Sequence, residues 1–338
     1  MSLAYFLGHP PLSGRIRVVP EDFQVFEELG FGPSGGGEHV LLRIRKRAVN
    51  TEWVSRQLAV HAGVPKAAVS YAGLKDRHAV AEQWFTVHLP GRAEPDWAQC
   101  GGEDFTVLEH HRHARKLRIG ALKGNAFRIV IRDLQGESDG LAERLERLAQ
   151  NGVPNYFGAQ RFGHDGDNLL KAEALFLGRL RVRDRHQRGL YLSAARAQVF
   201  NQVLSRRVAQ GSWNQPVAGD VMMLDGSHSV FRSATVDADI QQRMRDCDIH
   251  PTGPLWGRGE LLSQEGVEAL ERTVAAEYPI FCQGLEAAGM KQERRALRMP
   301  VRNMALERPA DGSAVISFRL PAGAYATVVL RELVGIVD

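Results

Sequence analysis

The stretch Ala72–Trp84, read as AGLKDRHAVAEQW, is a polar loop set between two segments that alternate apolar and polar residues. Ala67–Tyr71 before it reads as a short strand, and Gln83–Leu89 after it as another, closed by Pro90-Gly91. The chain must therefore build a sheet from which this loop hangs. At the loop's tip Asp76 stands between Lys75 and Arg77, and cations that close favour the ionised acid. Such an aspartate suits a nucleophile or a base better than a proton donor. The same residue type also caps turns and helix starts, in which case Lys-Asp-Arg is only a solvated charge triplet.

Upstream, Arg15–Pro20 leads into the run Glu21–Glu27, and a second alternating run follows at His39–Arg45. With the glycine-rich stretch 30–37 between them, the two runs read as a hairpin with a flexible loop. A phosphate-loop reading of those glycines is weak, because no Gly-Lys-Ser/Thr follows and no helix begins there. In the second run Val40, Leu42 and Ile44 share one face and Arg43 and Arg45 the other, so one face is core and the other can be basic surface. A helix then starts at an Asn50 cap, carries Trp53, Val54, Leu58 and His61 on one stripe, and ends at Gly63 and Pro65. The run His110–Lys116 reads as a basic loop, either solvated or in contact with phosphate; a His-rich metal site is the third alternative, without an acidic or cysteine partner at ligand spacing.

The next segment turns at Lys123-Gly124 into a strand with Phe127, Ile129 and Ile131 on one face and Arg128 and Arg132 on the other. Asn125 falls at the strand start, a position where asparagine commonly tolerates positive φ. An amphipathic helix covers 141–150. The stretch Pro154–Gly163 mixes aromatics with amides and a guanidinium, which suits stacking on bases and contact with phosphates, or equally a core at a domain junction. From 151 to 299 the character is mostly helical: Ser193 caps one helix, two more cover 262–276 and 284–297, and 215–226 reads as strand and turn. Strands return at 301–307 and 314–320. Leu320-Pro321-Ala322-Gly323 then opens an apolar-striped helix that places Tyr325 near its N-terminus, where backbone N–H groups attract phosphate.

A chain of 338 residues with 44% apolar content can bury a sizeable core divided into two domains. Cys100, Cys247 and Cys282 match no CxxC spacing, so neither a disulfide framework nor a zinc site is indicated. No apolar run is long enough for a membrane span, and the first residues lack the features of a signal peptide, so a cytoplasmic protein is expected. The net charge of +4 is only mildly basic; its distribution carries more information than its sum.

Gly73-Leu74-Lys75-Asp76 followed by Ala79 and Gln83 resembles the signature of the TruD family of tRNA pseudouridine synthases. Glu21-Asp22-Phe23, Lys123-Gly124-Asn125-Ala126-Phe127, the string Asn155–Gly163 and Leu320–Gly323 match the family in the same order, so the resemblance spans nearly the whole chain. It implies an α+β fold: a pseudouridine synthase core, with a mixed and largely antiparallel sheet flanked by helices, formed by 1–150 and 300–338, and an inserted α+β TRUD domain at 151–299. It implies Asp76 as the catalytic residue and Phe23, Asn125, Tyr325, Lys75 and Phe127 as substrate-binding residues, with an aromatic at 325 lying in the uridine site. Two positions depart from the common pattern: Ala81, where relatives often have Thr, and Tyr325, where Phe is frequent.

The implied reaction isomerises a specific uridine of tRNA, position 13 in the D-arm region, to pseudouridine. It breaks N1–C1′, turns the base and joins C5 to C1′ without redox change, so no cofactor or metal is required. An ionised aspartate can add to C1′ or take the 2′-proton to give a glycal, and both routes stay open. The base must leave its stack to be reached, which calls for an aromatic platform. On that reading Tyr325 or Phe23 offers a ring face and the Tyr325 hydroxyl is dispensable. The tRNA is the expected partner, with no membrane and no obligate protein partner, for a monomer. The rival reading is a non-catalytic RNA-binding protein; Asp76 separates the two, since a pure binder gains nothing from an anion among its phosphate-binding cations.

Overall fold

Period-two alternation carries several segments of the first 136 residues into strands. The computed structural model describes residues 3–137, 139–233 and 235–337. Strands β1 (Leu12–Arg15), β2 (Phe23–Glu28) and β3 (His39–Arg47) lead to helix α1 (Thr51–His61); β4 (Val69–Tyr71), β5 (Val80–His88), β6 (Phe105–His113) and β7 (Gly124–Gly136) lead to α2 (Leu141–Asn151). The chain then runs through β8 (Val153–Pro154), α3 (Asp167–Phe176), α4 (Arg185–Ala209), β9 (Asp220–Leu224), β10 (Val230–Ser233), α5 (Ala238–Arg245) and β11 (Ile249–Leu255). It continues through α6 (Glu265–Glu277), α7 (Pro279–Ala287), β12 (Glu293–Ala296) and β13 (Arg298–Met299), and closes with β14 (Arg302–Glu307), β15 (Ala314–Pro321), α8 (Ala326–Leu333) and β16 (Gly335–Ile336).

Two compact units result. One comprises Pro11–Ala149, Val301–Ala324 and Val334–Asp338; the other comprises Met1–Pro10, Gln150–Pro300 and Tyr325–Leu333. The cuts near 150 and 300 lie where the change in sequence character falls, while the first ten residues and Tyr325–Leu333 group with the segment 150–300.

The first unit is built on a sheet with strand order β14-β15-β7-β2-β5-β3-β6, with β4 on β5 and β1 between β7 and β16. Within that order the β2–β5 pair is parallel and the other ladders are antiparallel. Val40, Leu42 and Ile44 of β3 and Phe85 of β5 are fully buried against Val54 and Leu58 of α1, as the shared stripe of that helix requires. In the second unit the antiparallel sheet β10-β9-β11-β12 accompanies the helices, and Val199 and Val203 of α4 pack with Val274 of α6 and Leu285 of α7.

Four sequence expectations are corrected. β2 and β3 do not form a hairpin, because β5 lies between them; the long glycine-rich connection lets the chain skip a position and return. His110–His113 is not loop but the end of β6, in register from His39↔His113 to Arg43↔Glu109, an arrangement that pairs the outer edge of β3. Ser193 lies inside α4, whose cap is Asp184, accepting from Gln187 N–H at 2.8 Å. The helix expected at 284–297 stops at Ala287, since Gly289 takes φ +81° and β12 pairs with β11 instead.

Candidate active site

One face of the first unit's sheet holds an unusual set of buried polar groups. On β2, Phe23, Val25 and Glu27 point inward. In the antiparallel register Val25 faces Phe127 and Glu27 faces Asn125 on β7, and directly opposed residues share a face. On the other side Ala81 of β5 lies beside Val25, and Lys46 of β3 is opposite Ala81, with Ile44 opposite Gln83. Glu27 and Lys46 are thus charges at core positions, and each is nearly or fully shut off from solvent. A buried charge persists only when it is paired and hydrogen-bonded. Here the partners come from the loop that carries Asp76.

Lys75 turns inward, and its ammonium meets Glu27 Oε1 at 2.5 Å, while Glu27 Oε2 accepts the Trp84 N–H at 2.8 Å. Lys46 Nζ donates to the carbonyls of Val49 and Asp76, both at 2.8 Å. Lys75 N–H donates to Thr51 Oγ1 at 3.1 Å, and that hydroxyl donates to Gln83 Oε1 at 3.0 Å. The Gln83 amide in turn holds the Gly73 carbonyl. The backbone from Gly73 to Asp76 is therefore tied down by β2, β3, β5 and the start of α1. Burial pushes the Lys46 ammonium down to about 8; the nearby Asp76 carboxylate opposes that shift and Lys75 adds to it.

The Asp76 side chain stays half exposed and takes one strong partner, Arg17, at 2.6 Å from Oδ2. Arg17 has φ +59° and lays its guanidinium 4.1 Å over the Phe23 ring. Phe23 meets Phe127 edge-on at 6.2 Å, and Phe127 stacks on Phe318 at 5.3 Å. Phe23 is therefore a buried support for Arg17 and not an open ring face. Among the described residues Asn125 Oδ1 is buried without a hydrogen-bond partner. Gly124 before it cannot be larger, because a Cβ would stand 2.4 Å from the Leu320 carbonyl oxygen.

The sheet thus brings Asp76, Lys75, Phe23, Asn125 and Phe127 together. Tyr325 belongs to the second unit, just before α8, and its hydroxyl accepts from Arg161 Nη2 at 2.8 Å. Arg17, Glu27, Lys46 and Thr51 were not singled out by sequence. For Glu27 and Lys46 a signal existed, a charge at the inward position of an alternating strand. For Arg17 none did. Arg43 and Arg45, expected as basic surface, both bind the buried Glu82, at 2.5 and 2.7 Å, and Arg112 binds Glu94 at 2.5 Å. Among the described residues no three His, Cys, Asp or Glu side chains group closely enough to hold a metal ion, and no helix is long and apolar enough to cross a membrane.

A family model described as tRNA pseudouridine synthase D (TruD) matches residues 2–175 and 166–333. The chain belongs to the TruD family. Two relatives named tRNA pseudouridine synthase D, from Methylococcus capsulatus and Nitrosococcus oceani, are each 51% identical to it over 97% of this chain and 92% of theirs. A solved structure described as tRNA pseudouridine synthase D (TruD) from Methanosarcina mazei superposes with a TM-score of 0.76 at 21% identity, covering 98% of this chain and 95% of that one. At that identity it shows the fold, an α+β architecture with a mixed sheet.

Proposed function

We propose that this protein isomerises a uridine of tRNA to pseudouridine, at position 13 in the D-arm region, with Asp76 as nucleophile or base and without a cofactor. Membership of the TruD family supports the reaction class. The observation that carries the assignment of Asp76 is the geometry of its loop: a carboxylate half open to solvent, paired to Arg17 at 2.6 Å, on a backbone fixed by Lys46 and Thr51. Either route needs a carboxylate oxygen that substrate can reach, and here one stands half open beside a guanidinium. Adding to C1′, it breaks C1′–N1 and releases the base as its anion, after which C5 attacks C1′ and displaces the carboxylate; taking the 2′-proton, it expels the same anion and leaves a glycal, to which C5 adds at C1′ as the proton returns to C2′. In both, C5 loses a proton and N1 gains one, so the product is an isomer of the substrate.

Phe23, Asn125, Tyr325, Lys75 and Phe127 are proposed as the uridine-binding set, in different capacities. The unpartnered Asn125 Oδ1 can accept from the one N–H of uracil. Lys75, Phe127 and Phe23 act from below, by fixing the loop and the Arg17 guanidinium. Residues 1–150 and 300–338 are assigned as the catalytic domain and 151–299 as the inserted TRUD domain, in a monomeric cytoplasmic enzyme. Mapping pseudouridine in an unmodified tRNA transcript treated with the purified protein tests the reading. A new pseudouridine at position 13 supports it; tight tRNA binding with no pseudouridine anywhere would leave the non-catalytic RNA-binding protein in its place.

A further inference from the structure

In the second unit most buried arginines are matched. Arg207 pairs with Asp220 at 2.7 Å, Arg294 with Glu271 at 2.8 Å and Arg196 with Glu293 at 2.9 Å, while Arg298 is enclosed by two carbonyls and the His250 ring. Arg161 and Arg295 are different. Neither pairs with a carboxylate among the described residues. Arg161 donates to Ser193 Oγ at 3.0 Å and to the Tyr325 hydroxyl at 2.8 Å, and its Nε is buried with no partner among the described residues. Arg295 donates to Asn155 Oδ1 at 2.6 Å. Both guanidiniums stand on the same ring, with Cζ 5.5 and 4.2 Å from the Phe157 centroid. Asn155 and Arg295 also line a cavity of about 1090 Å³.

Two partly buried cations drawn onto one aromatic ring, poor in acidic neighbours, repel each other and lack a counter-charge. Burial pushes the Arg295 guanidinium down to about 10, with Tyr325 opposing the shift and the Arg161 cation adding to it. Such a pair is stabilised by an anion. A guanidinium has N–H donors in a fixed fork suited to phosphate oxygens, and here several are unused.

We propose that Arg161 and Arg295 form a clamp for an RNA phosphodiester, shaped by Asn155, Phe157 and the Tyr325 hydroxyl. The clamp rests on the tRNA reading above for the identity of its anion. Tyr325 acquires a second task, in which its hydroxyl orients Arg161. The expected role is positioning of the strand: phosphate contacts fix register and orientation without reading sequence.

The test measures affinity for an unmodified tRNA transcript over a salt series, using the full chain with Asp76→Asn to prevent turnover. Arg161→Gln and Arg295→Gln should each weaken binding roughly tenfold or more and lower the log–log salt slope by roughly one. Arg161→Lys should keep the slope, because the charge remains. Tyr325→Phe removes one oxygen and carries the test if a glutamine variant fails to fold: it should weaken binding about fivefold and have no effect in an Arg161→Gln background. Unchanged slopes in both glutamine variants, or a Tyr325→Phe effect that is absent from the start or independent of Arg161, would overturn the clamp. Should inorganic phosphate stabilise the protein through Arg161 and Arg295 while the tRNA slope stays fixed, the anion is free phosphate and the RNA assignment fails. A clamp that passes in a protein that forms no pseudouridine leaves the phosphate site standing and removes the catalytic reading.

Discussion

Asp76 has the Arg17 guanidinium within ion-pair distance of its carboxylate, and a backbone carbonyl that receives Lys46; the two contacts do different work. Arg17 acts on the charge, whereas Lys46 acts on position. Asp76→Asn should therefore lower pseudouridine formation by roughly a thousandfold or more while tRNA affinity and the unfolding midpoint stay near wild type. Retention of turnover within tenfold would reassign the nucleophile. Lys46→Met should instead take the donor from the part-buried carbonyls of Val49 and Asp76 and cost about 2 kcal/mol of stability, read by urea unfolding. Its pH dependence has a defined sign. In the folded protein the Lys46 ammonium lies at about 8, below its ordinary 10.5, so between those values the unfolded chain holds more protons and this group makes stability rise with pH. Below pH 8 both states are protonated and the contribution is flat. The stability gap between wild type and Lys46→Met should thus widen from pH 8 to about pH 10; a gap that narrows would exclude burial as the dominant influence on this lysine. The loop that carries Asp76 was legible from the alternating segments on either side of it, and Lys46 was legible in principle because it breaks an inward row of Val40, Leu42 and Ile44. Arg17 was not, since its contact with Asp76 depends on a positive φ in a turn with no local sequence signal.

At the scale of elements, the site depends on two junctions between strands and loop. The first is Glu27, whose side chain joins β2 to Lys75 and to the Trp84 N–H. With both members of the pair sequestered, Glu27→Gln leaves a buried ammonium unmatched and should destabilise the first unit by about 3–5 kcal/mol; turnover should fall in the folded fraction as well, because Lys75 precedes Asp76. The second junction is the close approach of Gly124 to β15. A methyl at 124 would collide with backbone, not with a flexible side chain, so the β7–β15 ladder must part at the point where Asn125 begins. Gly124→Ala should cost about 1–3 kcal/mol and impair turnover, and a variant with unchanged stability would show that the ladder yields there freely. Strand existence was legible from alternation, as for β3 and β7. Strand order was not: local pattern placed β2 next to β3, and what separates them is β5, whose parallel pairing with β2 uses contacts about 55 residues apart in the chain. The helix expected at 284–297 failed for a similar reason, since β12 is fixed by its distant partner β11.

For the whole molecule the question is which cations meet RNA, and a net charge of +4 leaves that open. Sequence pointed to Arg43, Arg45 and the run at 110–116. The structure shows Arg43 paired with Glu82 and Glu109, Arg45 with Glu82 and Arg112 with Glu94; a guanidinium already paired must break that pair to release counterions from a phosphate. From the end of α3 into the first turn of α4, by contrast, Arg179, Arg181, Arg183, Arg185 and Arg188 are all exposed, and no carboxylate among the described residues pairs with them. The acid in their midst, Asp184, is engaged as the cap of α4. Exposed and unmatched cations contribute most to salt-dependent affinity, because each neutralised phosphate releases counterions. The combined variant Arg179→Gln, Arg181→Gln, Arg183→Gln should then reduce the log–log salt slope of tRNA binding by roughly two to three, with the thermal midpoint unchanged. Arg112→Gln should alter the slope by much less and lower stability slightly, through loss of its Glu94 pair. If Arg112→Gln instead flattens the slope as strongly as the triple variant, paired surface arginines are recruited by RNA as readily as unpaired ones, and ion pairing in the free protein is no guide to where the tRNA backbone runs.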